Sequence, residues 1–292
     1  MPKNIINKFK TSYGVSTPQE EGSGGSAPLP PETPEQSSEV FSNKNNYDEV
    51  ADIYDVYNTA NYDIDFFIER YKNFNGNAIE LMAGTGRISL PLIRTGLKLD
   101  CIDISIGLLD KLERKLKNET LTSNLICQDI RFLNLEKKYD LAIIGFNSIA
   151  EIINYEDQKL VFNGIKNFLN KNGEFIFTLY NPNYRRKLIN NNLSFIKEFN
   201  FEDKKLLFFM SSRENEDKTV DIKQYYEIHN NNKELLEKKV LDLKFKLIDK
   251  NEIESLISET GFKIKEIYGD FNLSEYNENY SPFMIYSLKV DE

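Results

Sequence analysis

At 292 residues and 40% hydrophobic content, the chain can build one elaborated α/β domain with a real core. Its net charge of −9 disfavours broad binding to nucleic acid or anionic membranes, which needs clustered Lys and Arg. Two cysteines and a single histidine exclude a disulfide framework and a multi-histidine metal centre, so no metal site is expected.

Residues 1–45 read as a disordered tail or linker. Gly22-Ser23-Gly24-Gly25-Ser26 and then Pro28, Pro30, Pro31 and Pro34 cannot bury enough surface to offset their ordering entropy. Ile5, Ile6, Phe9 and Tyr13 ahead of them fit one face of a short helix, so a tethered recognition peptide is the functional alternative. No secretory leader pattern opens the sequence, and its apolar runs are too short for a membrane span. The cytoplasm is the expected compartment, with Cys101 and Cys127 as buried thiols on strands.

Residues 47–71 read as helical with a break at 58–61. Strand and helix patterns then alternate. Strands are expected at 77–82, 98–103, 124–127, 139–145 and 174–180, with helices at 87–95, 107–117 and 157–169. Such alternation predicts a parallel sheet covered by helices on both faces. From 195 the pattern changes to four strand-like runs (195–200, 205–212, 220–229, 236–247) separated by Asn, Asp and Lys clusters, as in an added antiparallel sheet. A helix at 252–260 ending near Gly261 and two closing strands at 262–268 and 283–290 complete the chain. The expected division is a core over 46–194, an antiparallel lid insertion over 195–248, and the C-terminal part of the core over 249–292.

Glu80-Leu81-Met82-Ala83-Gly84-Thr85-Gly86-Arg87 is the most informative stretch. An apolar strand runs into a glycine turn before a helix, which brings bare N–H groups to a strand's carboxyl end. Asp103 ends the next strand, 19 residues beyond Gly84. A carboxylate there is placed to accept from both hydroxyls of a ribose and repels the phosphate of NADP. Asp129, after the third strand, fits either an acceptor for an adenine amino group or a cap for the residues from Ile130 onward. Arg87 fits either a solvated helix residue or the partner of a ligand carboxylate. Glu80 suits a ligand ammonium and suits a pyrophosphate poorly, and Ser89 stands where a dinucleotide fingerprint wants Gly or Ala. The turn therefore favours an amino-acid-bearing nucleoside over a dinucleotide.

These stretches, with Cys101-Ile102-Asp103-Ile104-Ser105, resemble motifs one and two of class I S-adenosylmethionine-dependent methyltransferases. Val50-Ala51-Asp52-Ile53-Tyr54-Asp55-Val56-Tyr57 resembles the N-terminal segment of their small-molecule branch, which includes glycine and amino-sugar N-methyltransferases. Phe146-Asn147-Ser148-Ile149 and the stretch from Gly261-Phe262 through Tyr268-Gly269-Asp270-Phe271 are similar to that branch as well, so the resemblance spans about 47–290. It implies a Rossmann-like, seven-stranded, mostly parallel sheet whose last strand is antiparallel, and S-adenosyl-L-methionine as cofactor. Glu80, Ala83, Gly84, Gly86 and Arg87 would hold the methionine end, Asp103 and Ile104 the ribose and adenine, and Asp129 and Ile130 the adenine. Phe146 would line the pocket, and Tyr57 and Tyr62 would close over the sulfonium.

Methyl transfer needs alignment and water exclusion more than a dedicated base. The candidates for orienting an acceptor are Tyr57, Asn147 and Tyr180. Asn181 and Tyr184 follow the fifth strand and fit a turn equally well. Asn181-Pro182-Asn183-Tyr184 departs from the Asn-Pro-Pro-Tyr motif of amino-methylating nucleic-acid enzymes and follows a different strand. Tyr225 and Tyr226 of the added sheet either line a pocket or pack the sheet, and His229 fits a surface position there. The expected partner is a small-molecule substrate, transferred to at N or O, with the oligomeric state open. An NAD-linked oxidoreductase and a non-catalytic cofactor-binding or interaction module are the alternatives.

Overall fold

The computed structural model describes residues 45–290; the expected tail over 1–45 lies, but for Asn45, outside them. A 3-10 turn at Tyr47–Val50 leads into α1 (Tyr54–Tyr57) and α2 (Ile64–Tyr71), so the predicted helical stretch is three short pieces. β1 (Asn77–Leu81) is followed by α3 (Ser89–Arg94). This helix starts two residues later than predicted, because Gly84 and Gly86 hold positive φ angles of 56° and 80° and carry the chain through the turn.

β2 (Lys98–Asp103) and α4 (Ile106–Asn118) come next. Ser105 caps α4 by accepting from the Leu108 N–H at 3.1 Å, and Leu108, Leu112 and Leu116 recur every four residues on its buried face. β3 (Leu125–Cys127) and β4 (Tyr139–Ile144) precede α5 (Tyr155–Phe168), which Asn154 caps. β5 (Leu169–Tyr180) starts five residues earlier than predicted, since Leu169 already pairs with Tyr139 of β4. α6 (Pro182–Arg185) follows.

β6 (Ser194–Phe201), β7 (Lys204–Glu214), β8 (Thr219–Asn230) and β9 (Leu235–Lys246) form a four-stranded antiparallel meander. α7 (Lys250–Glu259), β10 (Phe262–Tyr268) and β11 (Phe283–Val290) end the described chain.

The seven-stranded sheet has the order β3-β2-β1-β4-β5-β11-β10. β1 to β5 pair in parallel, and β11 runs antiparallel to both neighbours. Strand order reverses between β1 and β4, and ligands of open α/β sheets bind beyond the strand ends at such a switch point. Both faces are covered: Ile79 and Leu81 of β1 pack with α5 and α7, while Ala78 packs with α2, α3 and α4. The meander joins the same body, with Val220, Ile222 and Phe245 in the first of these clusters and Leu206, Phe208 and Tyr226 packed on Val50 and Ile53. Cys101 is buried as expected, whereas Cys127 on the short edge strand β3 is half-buried; the two do not form a disulfide.

No helix among the described residues is long and apolar enough to cross a membrane.

Candidate active site

A crevice opens at the β1/β4 switch point. Its walls come from Glu80 in β1, from Met82, Ala83, Gly84, Thr85, Arg87 and Ile88 after it, and from Gly145, Phe146 and Ser148 after β4; Tyr54 and Asn58 roof it. Met82, Phe146 and Asn147 hold φ angles of 58°, 54° and 64°. Non-glycine residues rarely adopt the left-handed region, and such strain concentrates where a ligand or reaction demands it. Both strand ends that face the crevice carry it.

The two motif pieces meet in space. The Gly84 N–H donates to Asp103 Oδ2 at 2.7 Å, and the Ser105 N–H donates to Oδ1 at 2.8 Å. Burial raises the Asp103 carboxyl to about 6, against the lowering effect of these donors. An ionised carboxylate has about four lone-pair sites, so capacity remains for a diol. Ile104 beside it is half-buried.

Glu80 is 3% exposed. Burial pushes its carboxyl up to about 8, although the Ser89 hydroxyl donates to it and Arg87 lies near. A buried acid of this kind ionises readily only when a cation arrives. Gly86 cannot carry a side chain, because its Cβ would lie 2.3 Å from Cδ1 of fully buried Leu112.

Arg87 is not a solvated helix residue. It forms a two-pronged ion pair with Asp63, which is 0% exposed, with Nη2 to Oδ2 at 2.7 Å. It also donates to the Ala60 carbonyl at 3.2 Å and lies 4.3 Å from the Phe146 ring centroid. Burial disfavours the charge, but the Asp63 bonds raise its pKa. The segment over the crevice is tied down elsewhere too: Thr85 Oγ1 donates to Asp55 at 2.6 Å, and Lys115 bridges Asp55 and the Thr85 carbonyl. Closed in this way, the crevice encloses about 40 Å³. A wider depression on α7, lined by Asn251, Glu254, Ser255, Ser258 and Glu259, draws on one helix only and is far more open.

Tyr57 packs away from the crevice. Its ring lies 4.7 Å from Tyr226 and 5.7 Å from Phe208 of the meander, and its hydroxyl is buried without a hydrogen-bond partner. Burial raises its pKa, then the neighbouring Tyr226. Tyr54 and the helix cap Asn58, four residues apart and so on one face, line the crevice instead. Tyr226 therefore packs the sheet, completing an aromatic stack with Phe208 at 5.1 Å. Tyr62 is 45% exposed; its hydroxyl meets that of Tyr180 at 3.5 Å and its ring faces Phe146 at 6.4 Å.

Asn147 Oδ1 accepts from the Tyr180 N–H at 2.8 Å, which fixes the end of β5 against the β4 loop. Asn181 is fully buried, bonds the Glu278 and Ser281 carbonyls and caps α6, so it is structural. Asp129 caps the turn at Ile130–Phe132 and pairs with Arg131 at 2.7 Å, while the Ile130 side chain lies in the core. His229 contacts Glu227 and the Lys233 carbonyl on the meander, and joins none of these groups.

Sequence reasoning missed Glu151. It accepts from Asn45 at 2.6 Å and from the Tyr47 hydroxyl at 2.9 Å, and burial lifts it to about 7. Its position on a 3-10 turn of non-periodic sequence gave no signal.

A sequence model described as a methyltransferase domain matches residues 78–173. No curated protein matches the chain. Among solved structures, an S-adenosylmethionine-dependent methyltransferase from Clostridium acetobutylicum ATCC 824 is similar, at 22% identity and a TM-score of 0.70 over 84% of this chain and 99% of that one. The CcbJ methyltransferase from Streptomyces caelestis matches with 18% identity and a TM-score of 0.71 over 86% and 100%. The sugar N-methyltransferase KedS8 from Streptoalloteichus sp ATCC 53650 matches with 11% identity and a TM-score of 0.66 over 94% and 100%. Residues 78–173 thus match a methyltransferase domain, and the chain has the Rossmann-like fold seen in S-adenosylmethionine-dependent methyltransferases.

Proposed function

We propose that this methyltransferase uses S-adenosyl-L-methionine to methylate a nitrogen or oxygen of a small-molecule acceptor. The observation that carries the reading is the pairing of two different carboxyls at one switch point: Glu80 beneath the glycine turn and Asp103 bonded to the Gly84 N–H. A zwitterionic nucleoside offers an ammonium to the first and a sugar diol to the second. A pyrophosphate brings Glu80 no cation to pair with, and it would repel that carboxyl wherever it ionises, which disfavours NAD.

In this reading Ala83, Gly84 and Gly86 shape the turn, and Arg87 takes the cofactor carboxylate. Phe146 forms a wall, and Tyr62 closes the sulfonium side. Ile104 flanks adenine, and Ile130, with its side chain in the core, reaches it through the backbone. Asp129 shares its carboxylate between Arg131 and the adenine amino group.

A nucleoside needs a pocket of several hundred Å³, so the closed crevice of about 40 Å³ must widen. Residues 58–63, which link α1 to α2, are the piece to move. Their withdrawal separates Asp63 from Arg87 and frees the guanidinium for a ligand.

When bound, the cofactor supplies a methyl carbon already activated by a sulfonium. The chain's own residues then bind, align and exclude water. Asn147 and Tyr180, bonded to each other at the ends of β4 and β5, orient the acceptor. Tyr57 acts from the lid side once the roof has moved. The likeness to a sugar N-methyltransferase supports a small acceptor, as does the acidic charge of the chain. Incubation with methyl-labelled cofactor and a panel of small amines and alcohols tests the proposal by product mass. Label that reaches only nucleic acid or protein would overturn it.

A further inference from the structure

α6 places Arg185 beside this site in an unusual state. Its guanidinium carbon lies 5.4 Å from the Tyr180 ring centroid and 5.5 Å from that of Phe245, so rings from the core and the lid flank it. Its Nε is buried and meets no acceptor, and no carboxylate among the described residues pairs with it. Every other arginine in the described chain that is not exposed has an acid: Arg70 has Glu174, Arg87 has Asp63 and Arg131 has Asp129. Even the exposed neighbour Arg186 has Glu214 at 2.9 Å. Aromatic faces attract a guanidinium but accept none of its in-plane N–H bonds. Desolvation accordingly lowers its pKa.

The surroundings lead from this cation to the crevice. The Tyr180 hydroxyl meets Tyr62, the Tyr62 ring faces Phe146, and Phe146 lines the crevice. Arg185 therefore stands on the side where an acceptor would approach, two aromatic rings from the cofactor wall.

We propose that Arg185 is a specificity residue that anchors a carboxylate of the methyl acceptor, so that the substrates are carboxylated amines or alcohols. The inference rests on the methyltransferase reading and adds the acceptor's chemical class. A guanidinium fork matches a carboxylate with two parallel charge-assisted bonds. A single cation balances one negative charge, whereas a phosphate dianion would leave charge uncompensated in a chain of net charge −9.

The test is calorimetric titration of the full chain, with and without S-adenosylhomocysteine. The probes are benzoate and acetate against benzamide and acetamide, with inorganic phosphate as a further arm. The expected result is that each carboxylate binds at least tenfold more tightly than its amide. Arg185→Gln removes that preference, leaves S-adenosylhomocysteine affinity unchanged, and Arg185→Lys restores it only in part. Equal binding of carboxylate and amide, a preference for phosphate, or a preference that survives in Arg185→Gln overturns the assignment. If Arg185→Gln does not fold, the wild-type comparison of carboxylate with amide still decides. Failure of S-adenosylhomocysteine to bind the wild-type chain counts against the methyltransferase reading instead.

Discussion

Replacing Glu80 by Gln separates what this side chain does for stability from what it does for binding. The unfolded carboxyl titrates near 4.5 and the folded one near 8. Between these values the folded chain keeps a proton that the unfolded chain has released, so stability falls as pH rises through the window. Below it both states are protonated, and above it both are ionised, so the contribution is flat on either side. At about 1.4 kcal/mol per unit, the linked loss is at most about 5 kcal/mol by pH 8. Gln is neutral at every pH and can still accept from the Ser89 hydroxyl. Denaturant unfolding of both proteins from pH 5 to 8.5 should therefore show the variant gaining on the wild type as pH rises. Asp103 and Glu151, also raised by burial to about 6 and about 7, keep part of the slope in both proteins. Binding should move the other way. Losing a charged hydrogen bond of about 1.5–3 kcal/mol weakens S-adenosylhomocysteine by roughly 10- to 100-fold. Wild-type binding below pH 8 should also release protons, seen as heats that depend on the buffer's ionisation enthalpy. Parallel stability curves for the two proteins would refute the placement of Glu80 as a buried acid, and unchanged affinity would refute its role toward the ammonium.

Three further outcomes follow from the same geometry. Asp103→Ala should weaken S-adenosylhomocysteine by roughly 10- to 100-fold in calorimetry, and an unchanged Kd would remove the ribose from this carboxylate. Asp63→Asn leaves the buried Arg87 charge without its partner and should cost about 3–5 kcal/mol in denaturant unfolding; a loss below about 0.5 kcal/mol would mean the pair contributes little. Tyr57→Phe deletes a buried hydroxyl that has no partner, so Tm should hold or rise. If that hydroxyl orients the acceptor, kcat falls while Tm does not, and an unaltered kcat would exclude it.

The alternation of strands and helices was legible because each strand is a short apolar run bounded by turn residues, as for β2 and β4. The glycine turn and Asp103 were legible too, since chemistry fixes their spacing, and the Gly84–Asp103 bond shows why. The roof was not. Asp63 and Arg87 are joined by tertiary packing, and no periodicity links positions 24 apart. The family resemblance implies Tyr57 rather than Tyr54 or Asn58, and a helix of four residues has too few turns to reveal which face is buried. The left-handed Met82, Phe146 and Asn147 carried no glycine to announce them. The isolation of Arg185 exists only in three dimensions, since its sequence neighbour Arg186 is paired.

The most direct measurement is calorimetric titration of the full chain with S-adenosylhomocysteine and, separately, with NAD. One S-adenosylhomocysteine per chain, with no heat from NAD, is the outcome this account predicts. Heat from NAD alone, or from neither ligand, would contradict it.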